Sequence, residues 1–475
     1  MKGMHYIDGK WLDSGDKLID VMNPATGERV GTVPNGGKEE AKAAIDAAAK
    51  AFSSWSKKTV YERSELLMKW HDLLLEHKEE VAVILTKEMG KPLHEAIGEI
   101  EYSASFISWF AEEAKRLYGR TIPASHEDKR IQVNKQPVGV VVSITPWNFP
   151  AAMMARKMAP ALAVGCTFVA KPAKNTPLTA VRMYELAEEA GFPKGVINLV
   201  TGSAREIGAA FTSHPDVRKL TFTGSTEIGK ELMKQCADNM LNLSLELGGH
   251  APIIILDDAN LDLAVQGVMA SKFRNAGQTC VCGNRIYVHR AIVDAFSTKL
   301  KEAVAKLKVG NGLDKDVMIG PLIDKEGYEK VDEHVQDAVE KGAEILIGGS
   351  GNTDNDAYFY QPTVLLNANH DMLVMKEETF GPVAPIMVFD EDDEAIRYAN
   401  NTRFGLAAYL FTDSMSRGTA ISEGLDFGIV GWNDGSPSSA QAPFGGMKES
   451  GIGREGGMEG LEAFVETKYI SMKVR

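Results

Sequence analysis

Cysteine is scarce in this chain, with four residues in 475. Two of them, Cys280 and Cys282, are one residue apart, so no disulfide framework is available and a reducing compartment is expected. Long apolar runs are missing too. The opening Met1–Lys10 has no segment of signal length and no stretch approaches a transmembrane span, so a cytoplasmic protein without a membrane partner is expected. Positive charge is in deficit, 52 Lys and Arg against 65 Asp and Glu, which leaves a net charge of −13 and argues against nucleic acid as partner. A small anion would then need a local cluster of Arg or Lys to overcome the global field. Metal-ligand spacing is also lacking. The helical stretch Ala151–Val164 contains no His-Glu pair, which speaks against a zinc alcohol dehydrogenase and for chemistry without a metal.

What is present is an ordinary globular composition, 44% hydrophobic and 25% charged, in a chain long enough for two or more domains. Tyr6–Leu12 reads as a hairpin around Asp8-Gly9. Apolar spacing predicts helices over Lys38–Trp55, Val60–Leu85 and Leu93 to about Tyr118, and a polar extended arm over 121–138. From Gly139 short β-branched runs (Val140–Ile144, Thr167–Ala170, Val196–Val200, Leu220–Thr223) alternate with helical patterns at Ala151–Val164, Pro177–Ala190 and Glu206–Thr212. That alternation means βαβ units and an open parallel sheet, which binds nucleotides at the carboxyl ends of its strands. A second alternating block starts at Pro252–Leu256 and runs to about residue 435. Its helices are expected near Asn260–Lys272, Ile292–Lys306 and Lys325–Lys341, and its strands near Glu344–Ile347 and Ala384–Phe389. Gly349–Asp356 reads as a mobile loop and Phe464–Met472 as a strand-like tail.

Five stretches can carry chemistry. Arg274-Asn275-Ala276-Gly277-Gln278-Thr279-Cys280-Val281-Cys282 places two thiols among basic residues, and nearby cations favour the nucleophilic thiolate. Taken alone, it fits a buried small hydrophobe equally well. Phe222-Thr223-Gly224-Ser225-Thr226-Glu227-Ile228-Gly229-Lys230-Glu231 leaves a strand and opens a helix, where Gly lets backbone N–H groups approach a phosphate. Glu231 stands where a P-loop has its hydroxyl, so an NTPase is disfavoured, and the G-x-G-x-x-G dinucleotide fingerprint reads as absent. Pro146-Trp147-Asn148-Phe149-Pro150 follows a buried strand, and its Asn amide is a candidate oxyanion donor. Leu245-Glu246-Leu247-Gly248-Gly249 holds one carboxylate among apolar neighbours, where a raised pKa would suit a general base. Lys376-Glu377-Glu378-Thr379-Phe380-Gly381-Pro382 by itself is a surface loop.

In this order, and together with Pro443-Phe444-Gly445-Gly446, these motifs resemble the aldehyde dehydrogenase superfamily nearly end to end. Arg156-Lys157, Ser271–Cys282 and Gly451-Ile452-Gly453-Arg454-Glu455-Gly456 resemble its bacterial succinate-semialdehyde dehydrogenases. The resemblance implies an α/β fold with three parts. These are a Rossmann-like NAD(P)-binding domain (1–120 and 139–248), a catalytic domain (249–445) and oligomerisation elements (121–138 and 460–475) of a homodimer or homotetramer. It implies Cys280 as nucleophile, Glu246 as base for the hydrolytic water, and Asn148 with the Cys280 backbone N–H as oxyanion donors. Trp147, Ser225, Gly224, Gly229, Leu247 and Phe380 would line the cofactor site, with Lys171 on the adenosine ribose and Glu378 on the nicotinamide ribose.

Where NAD-preferring relatives read Lys-Pro-Ala-Glu, this chain has Lys171-Pro172-Ala173-Lys174. A carboxylate would repel a 2′-phosphate and Lys174 would attract it, so NADP is favoured over NAD. Arg156, Arg274 and Ser438 would hold the carboxylate of succinate semialdehyde. Arg156 follows Asn148 by eight residues and Arg274 precedes Cys280 by six, which tethers both near the reacting centre. Glutarate semialdehyde or a broad range of aldehydes are the competing substrates, and a non-catalytic binding protein would be expected to lack Cys280, Glu246 or Asn148. If residues 280–282 are extended, Cys280 and Cys282 face one side with Cα atoms roughly 6.5–7 Å apart, the upper edge for a reversible disulfide.

Overall fold

In the computed structural model, which describes residues 1–13, 15 and 17–474 apart from the side chain of Asn355, two parallel sheets meet at the motif stretches. The first sheet has the order Lys10–Leu12, His5–Ile7, Ile197–Leu199, Thr167–Lys171, Val140–Ile144, Val217–Thr223, Asn242–Glu246, Gly451–Ile452. Its five central strands are parallel and the outer ones antiparallel. Val140-Val141-Val142 is buried on both faces, as the β-branched run requires when helices cover each side. The chain moves one way from Val140–Ile144 and then restarts on its other flank at Val217–Thr223. The crevice between those two strands is therefore the switch point where such sheets take ligands.

The second sheet runs Glu344–Ile347, Thr363–Leu366, Val383–Phe389, Gly283–His289, Ala251–Ile255, Ala407–Phe411, Ile429–Trp432, parallel except for its first strand. Each sheet has a hydrophobic core on both faces. Gly248-Gly249 joins them, since Glu246 closes the last parallel strand of one and Ala251 opens a strand of the other. The expected arm finds its dock: Lys129–Pro137 pairs along its length with Val465–Lys473, and Arg120–Ile122 completes a three-stranded antiparallel ribbon.

Three expectations need correction. The helix read over Val60–Leu85 is two, Val60–Glu76 and Lys78–Met89, because His77 leaves helical geometry to end one and start the next. Apolar periodicity continues across a one-residue break and does not register it. Gly349–Asp356 is not a plain loop, since Gly351–Asn352 pairs with Phe359–Tyr360 as a short ribbon. Gly451–Gly456 does spell G-x-G-x-x-G, yet it forms an edge strand and a bridge at Glu455 rather than a strand-to-helix turn. No helix among the described residues is long and apolar enough to cross a membrane.

Candidate active site

The loop that carries Cys280 is bent by three consecutive left-handed residues, Asn275 (φ 52°), Ala276 (φ 54°) and Gly277 (φ 74°). Such backbone is strained for non-glycine residues and persists only when its surroundings over-determine it. Here they do. The Asn275 N–H donates to Glu95 Oε2 (2.8 Å), and Asn275 Nδ2 donates to Asn148 O and Gln278 O (both 3.1 Å). Gln278 Nε2 donates to Asn275 O (3.1 Å), and Gln278 Oε1 accepts from Ile323 N–H (3.0 Å). A Cβ at Gly277 would lie 2.2 Å from Gly381 O, so only glycine fits there.

Cys280 sits half-buried at the wall shared by two cavities. The first, about 310 Å³, is lined by Tyr102, Phe149, Arg156, Arg274, Thr279, Ser438 and others. It gathers buried polar atoms that have no well-formed hydrogen bond among the described residues, Tyr102 Oη, Arg156 Nη2, Arg274 Nε and Thr279 Oγ1, with Tyr102 lying beside Arg156. Orphaned buried polar groups are uncommon and point to an absent partner. Each of these atoms can donate, so with two guanidinium groups on its wall the cavity can receive an acceptor such as an anion, although Glu95 and Glu99 also line it. Arg274 is half-buried, with its guanidinium 5.3 Å from the Phe149 ring centroid. Arg156 is less free than expected, because Nε pairs with the buried Glu455 while the group stacks 4.1 Å over Phe444.

The second cavity, about 450 Å³, opens at the switch point and is lined by Trp147, Asn148, Gly224, Ser225, Leu247, Glu378 and Phe380, among others. Ser225 caps the helix Thr226–Cys236 by accepting from Ile228 N–H, so a helix N-terminus faces this space. Trp147 and Phe380 meet edge to face at 5.5 Å. Glu378 accepts from Gly249 N–H (3.1 Å), and burial pushes its carboxyl up to about 7. Gly229 lies off the cavity. A Cβ there would stand 2.4 Å from Leu247 Cδ2, so its smallness lets Leu247 in. Lys171 ends the strand beside Val140–Ile144 and also lies outside the cavity lining. Burial and the charge of Lys174 bring Lys171 down to about 8, while Lys174 itself is exposed.

Asn148 is buried at the junction, and its Nδ2 donates to Gln278 O (3.0 Å), which leaves one of its two hydrogens uncommitted. Glu246 is buried as well, and neither carboxyl oxygen has a hydrogen-bond partner among the described residues. Burial first, and the Glu455 carboxylate second, hold Glu246 well above the usual carboxylate range; Arg156 and Lys157 oppose them. Glu455, bound by both Lys157 and Arg156, stays low. Sequence reasoning missed Glu455 and Lys157 as part of the site. Both lie inside stretches that carry the closer resemblance, but neither was given a role there.

Two expectations about the thiols change. Basic neighbours were expected to lower the Cys280 pKa, but burial outweighs Arg156 and pushes it up to about 12. The segment 280–282 is not extended, since Cys282 N–H donates to Thr279 O (3.1 Å) and closes a turn. Cys282 is fully buried against Lys272, its Sγ 3.3 Å from Lys272 Nζ, whereas Cys280 faces the cavities. The geometric premise for a facile Cys280–Cys282 disulfide is therefore absent.

Known proteins resemble this chain along nearly its whole length. A sequence model described as the aldehyde dehydrogenase family matches residues 11–470. The NADP(+) succinate-semialdehyde dehydrogenase of Escherichia coli (strain K12) is 54% identical over 465 residues, covering 98% of this chain and 96% of its own. A glutarate-semialdehyde dehydrogenase of Pseudomonas aeruginosa is 53% identical over 468 residues, covering 98% and 97%. A crystal structure of an E. coli NADP-dependent enzyme superposes with a TM-score of 0.98 at 53% identity, covering 100% of this chain and 98% of that one.

Proposed function

The chain belongs to the aldehyde dehydrogenase family, and from that premise we propose that it oxidises succinate semialdehyde to succinate with NADP+ or NAD+. The observation that carries the reading is the first cavity, in which donors without partners among the described residues and two Arg stand beside the Cys280 thiol. A four-carbon aldehyde with a terminal carboxylate supplies an acceptor for them.

The second cavity suits the family's cofactor. It lies at the switch point under a helix N-terminus, and a Cβ at Gly224 or Gly248 would meet Phe222 Cζ at 2.4 Å or Glu378 Oε2 at 2.9 Å. When bound there, the nicotinamide accepts the hydride that leaves the aldehyde carbon. Trp147, Ser225, Leu247 and Phe380, which line the cavity, would hold the cofactor. Glu378 would accept from its ribose hydroxyls, Lys171 would hold the adenosine ribose, and Lys174 would attract a 2′-phosphate.

In this reading the Cys280 thiol releases its proton to solvent and adds as thiolate to the aldehyde carbon, and the free N–H of Asn148 and the Cys280 backbone N–H receive the developing oxyanion. Loss of hydride leaves a thioester on Cys280. Glu246 takes a proton from water, the hydroxide cleaves the thioester, and succinate departs as the thiol is restored. Arg274 and Ser438 hold the carboxylate. Arg156, tied to Glu455, contributes Nη2 and fixes one wall. The ribbon formed by Arg120–Ile122, Lys129–Pro137 and Val465–Lys473 would serve the assembly of a dimer or tetramer.

A panel of aldehydes with and without a terminal carboxylate, followed by formation of reduced nicotinamide, tests the reading. Succinate semialdehyde should give the highest kcat/KM, and equal values for hexanal would refute it. Glutarate semialdehyde adds one methylene, which a pocket typically discriminates by about 10- to 200-fold. A preference for it would move the assignment to that aldehyde.

A further inference from the structure

Asn148 is held from behind by a buried ion pair that takes no part in the steps above. Lys91 and Glu99 are both buried, with Lys91 Nζ 2.6 Å from Glu99 Oε2. Lys91 Nζ also donates to the backbone oxygen of Asn148 (2.7 Å) and lies 3.7 Å from the centroid of the Phe149 ring. Its three hydrogens thus have a carboxylate, a carbonyl and a π face. The second oxygen of Glu99 accepts from Ala151 N–H (2.9 Å) and Ala152 N–H (3.2 Å).

Those two N–H groups belong to the first turn of the helix Pro150–Val164, which has no side-chain cap of its own because Phe149 stands at the cap position. Pro150 has no N–H to satisfy, so Glu99 supplies from another helix the cap that the local sequence withholds. The pair therefore fixes two things at once. These are the backbone of Asn148 and the origin of the helix that carries Arg156 and Lys157.

Stability alone is a weak reason for this arrangement. Desolvation offsets most of the attraction in a buried ion pair, and apolar residues of similar size often serve as well. An apolar pair cannot donate to Asn148 O, nor accept from Ala151 and Ala152. We propose that Lys91 and Glu99 are positioning residues that aim the uncommitted Asn148 N–H at the aldehyde oxygen. This rests on the assignment of Asn148 as oxyanion donor.

The test is the single-turnover rate of reduced-cofactor formation per titrated active thiol, in the full-length enzyme with saturating cofactor. Asn148→Ala sets the reference, Lys91→Met removes the donor, and Lys91→Met/Glu99→Gln removes both charges while leaving an amide oxygen to cap Ala151 and Ala152. Loss of a single oxyanion donor slows catalysis by about 100- to 1,000-fold, so a misaimed one should cost about 10- to 100-fold. Lys91→Met should show that loss with succinate semialdehyde and hexanal alike, since both present the same aldehyde oxygen. The double variant should regain much of the melting temperature lost by Lys91→Met but none of the rate. Recovery of rate along with melting temperature would reduce the pair to a structural role and overturn the proposal. So would a wild-type rate in Lys91→Met while Asn148→Ala is slow. A wild-type rate in Asn148→Ala would instead bring down the oxyanion assignment, and this proposal with it.

Discussion

Arg274→Ala gives the sharpest reading of the substrate cavity. Arg274 forms no ion pair among the described residues, although Glu95 lines the same cavity and feels its charge, whereas Arg156 is tied to Glu455. A hydrogen bond to a charged group contributes about 1.5–3 kcal/mol when formed in a protected site. Arg274 is half-buried, so water screens part of that, and about 2 kcal/mol is a reasonable expectation. At 1.4 kcal/mol per factor of ten, this is roughly a 30-fold loss in kcat/KM for succinate semialdehyde, carried mainly by KM. The side chain also packs 5.3 Å from the Phe149 ring, and losing that contact would disturb any substrate. Hexanal separates the two effects because it fills the cavity without a charge. Its kcat/KM should change by no more than about threefold, the loss of a weak packing contact. Equal losses on both aldehydes would refute a carboxylate contact at Arg274. Arg156→Ala is the control: it leaves Glu455 without one of its cations, so it should damage both substrates and lower the melting temperature.

Three further outcomes follow from the site. Tyr102→Phe removes a buried hydroxyl that has no well-formed hydrogen bond among the described residues and only Arg156 beside it, so the free enzyme should melt close to the wild-type temperature, while KM for succinate semialdehyde rises several-fold and that for hexanal does not. Glu246→Gln should give one burst of reduced cofactor per site with almost no turnover after it. Because burial raises the Glu246 pKa, wild-type thioester hydrolysis should climb with pH beyond the range where an ordinary carboxylate has finished titrating. The sign for stability is the reverse, since a raised carboxyl supports the fold while protonated. Glu246→Gln should therefore lose less melting temperature than wild type as pH rises above the ordinary carboxylate range. Lys174→Glu should shift the ratio of kcat/KM values toward NAD+ by about tenfold or more, and an unchanged ratio would remove Lys174 from cofactor selection.

What the sequence made legible was whatever is local. Val140-Val141-Val142 could only be a strand covered on both faces, and the glycines at 224, 248 and 277 mark places where the backbone comes close to something. The motif residues Cys280, Asn148 and Glu378 do converge on shared cavities. What stayed hidden depends on long-range burial. Lys91, Glu99 and Glu455 look like surface charges when read along the chain, and each becomes a site component only when distant elements close over it. The same holds for the thiol. Local basic residues suggested a lowered pKa for Cys280, and the depth of the cavity reverses the direction. Cys282 is a matter of one turn, because the Thr279–Cys282 hydrogen bond rotates it from a potential partner of Cys280 toward Lys272.

Glu455 reaches Lys157 across 298 residues of chain, and Gly451–Ile452 completes the sheet edge beside Glu246. During synthesis the nucleophile loop and the other seven strands of the first sheet precede this segment in the chain, while Ser438 and Phe444 of the first cavity emerge only just before it. At that stage Lys157 and Arg156 would be charged, buried and uncompensated, and the flank of Glu246 would be open to water. A nascent chain can thus collect most of its structure early yet stay inert until residues beyond 455 emerge, so that competence arrives late, in one step, with the last strand to dock.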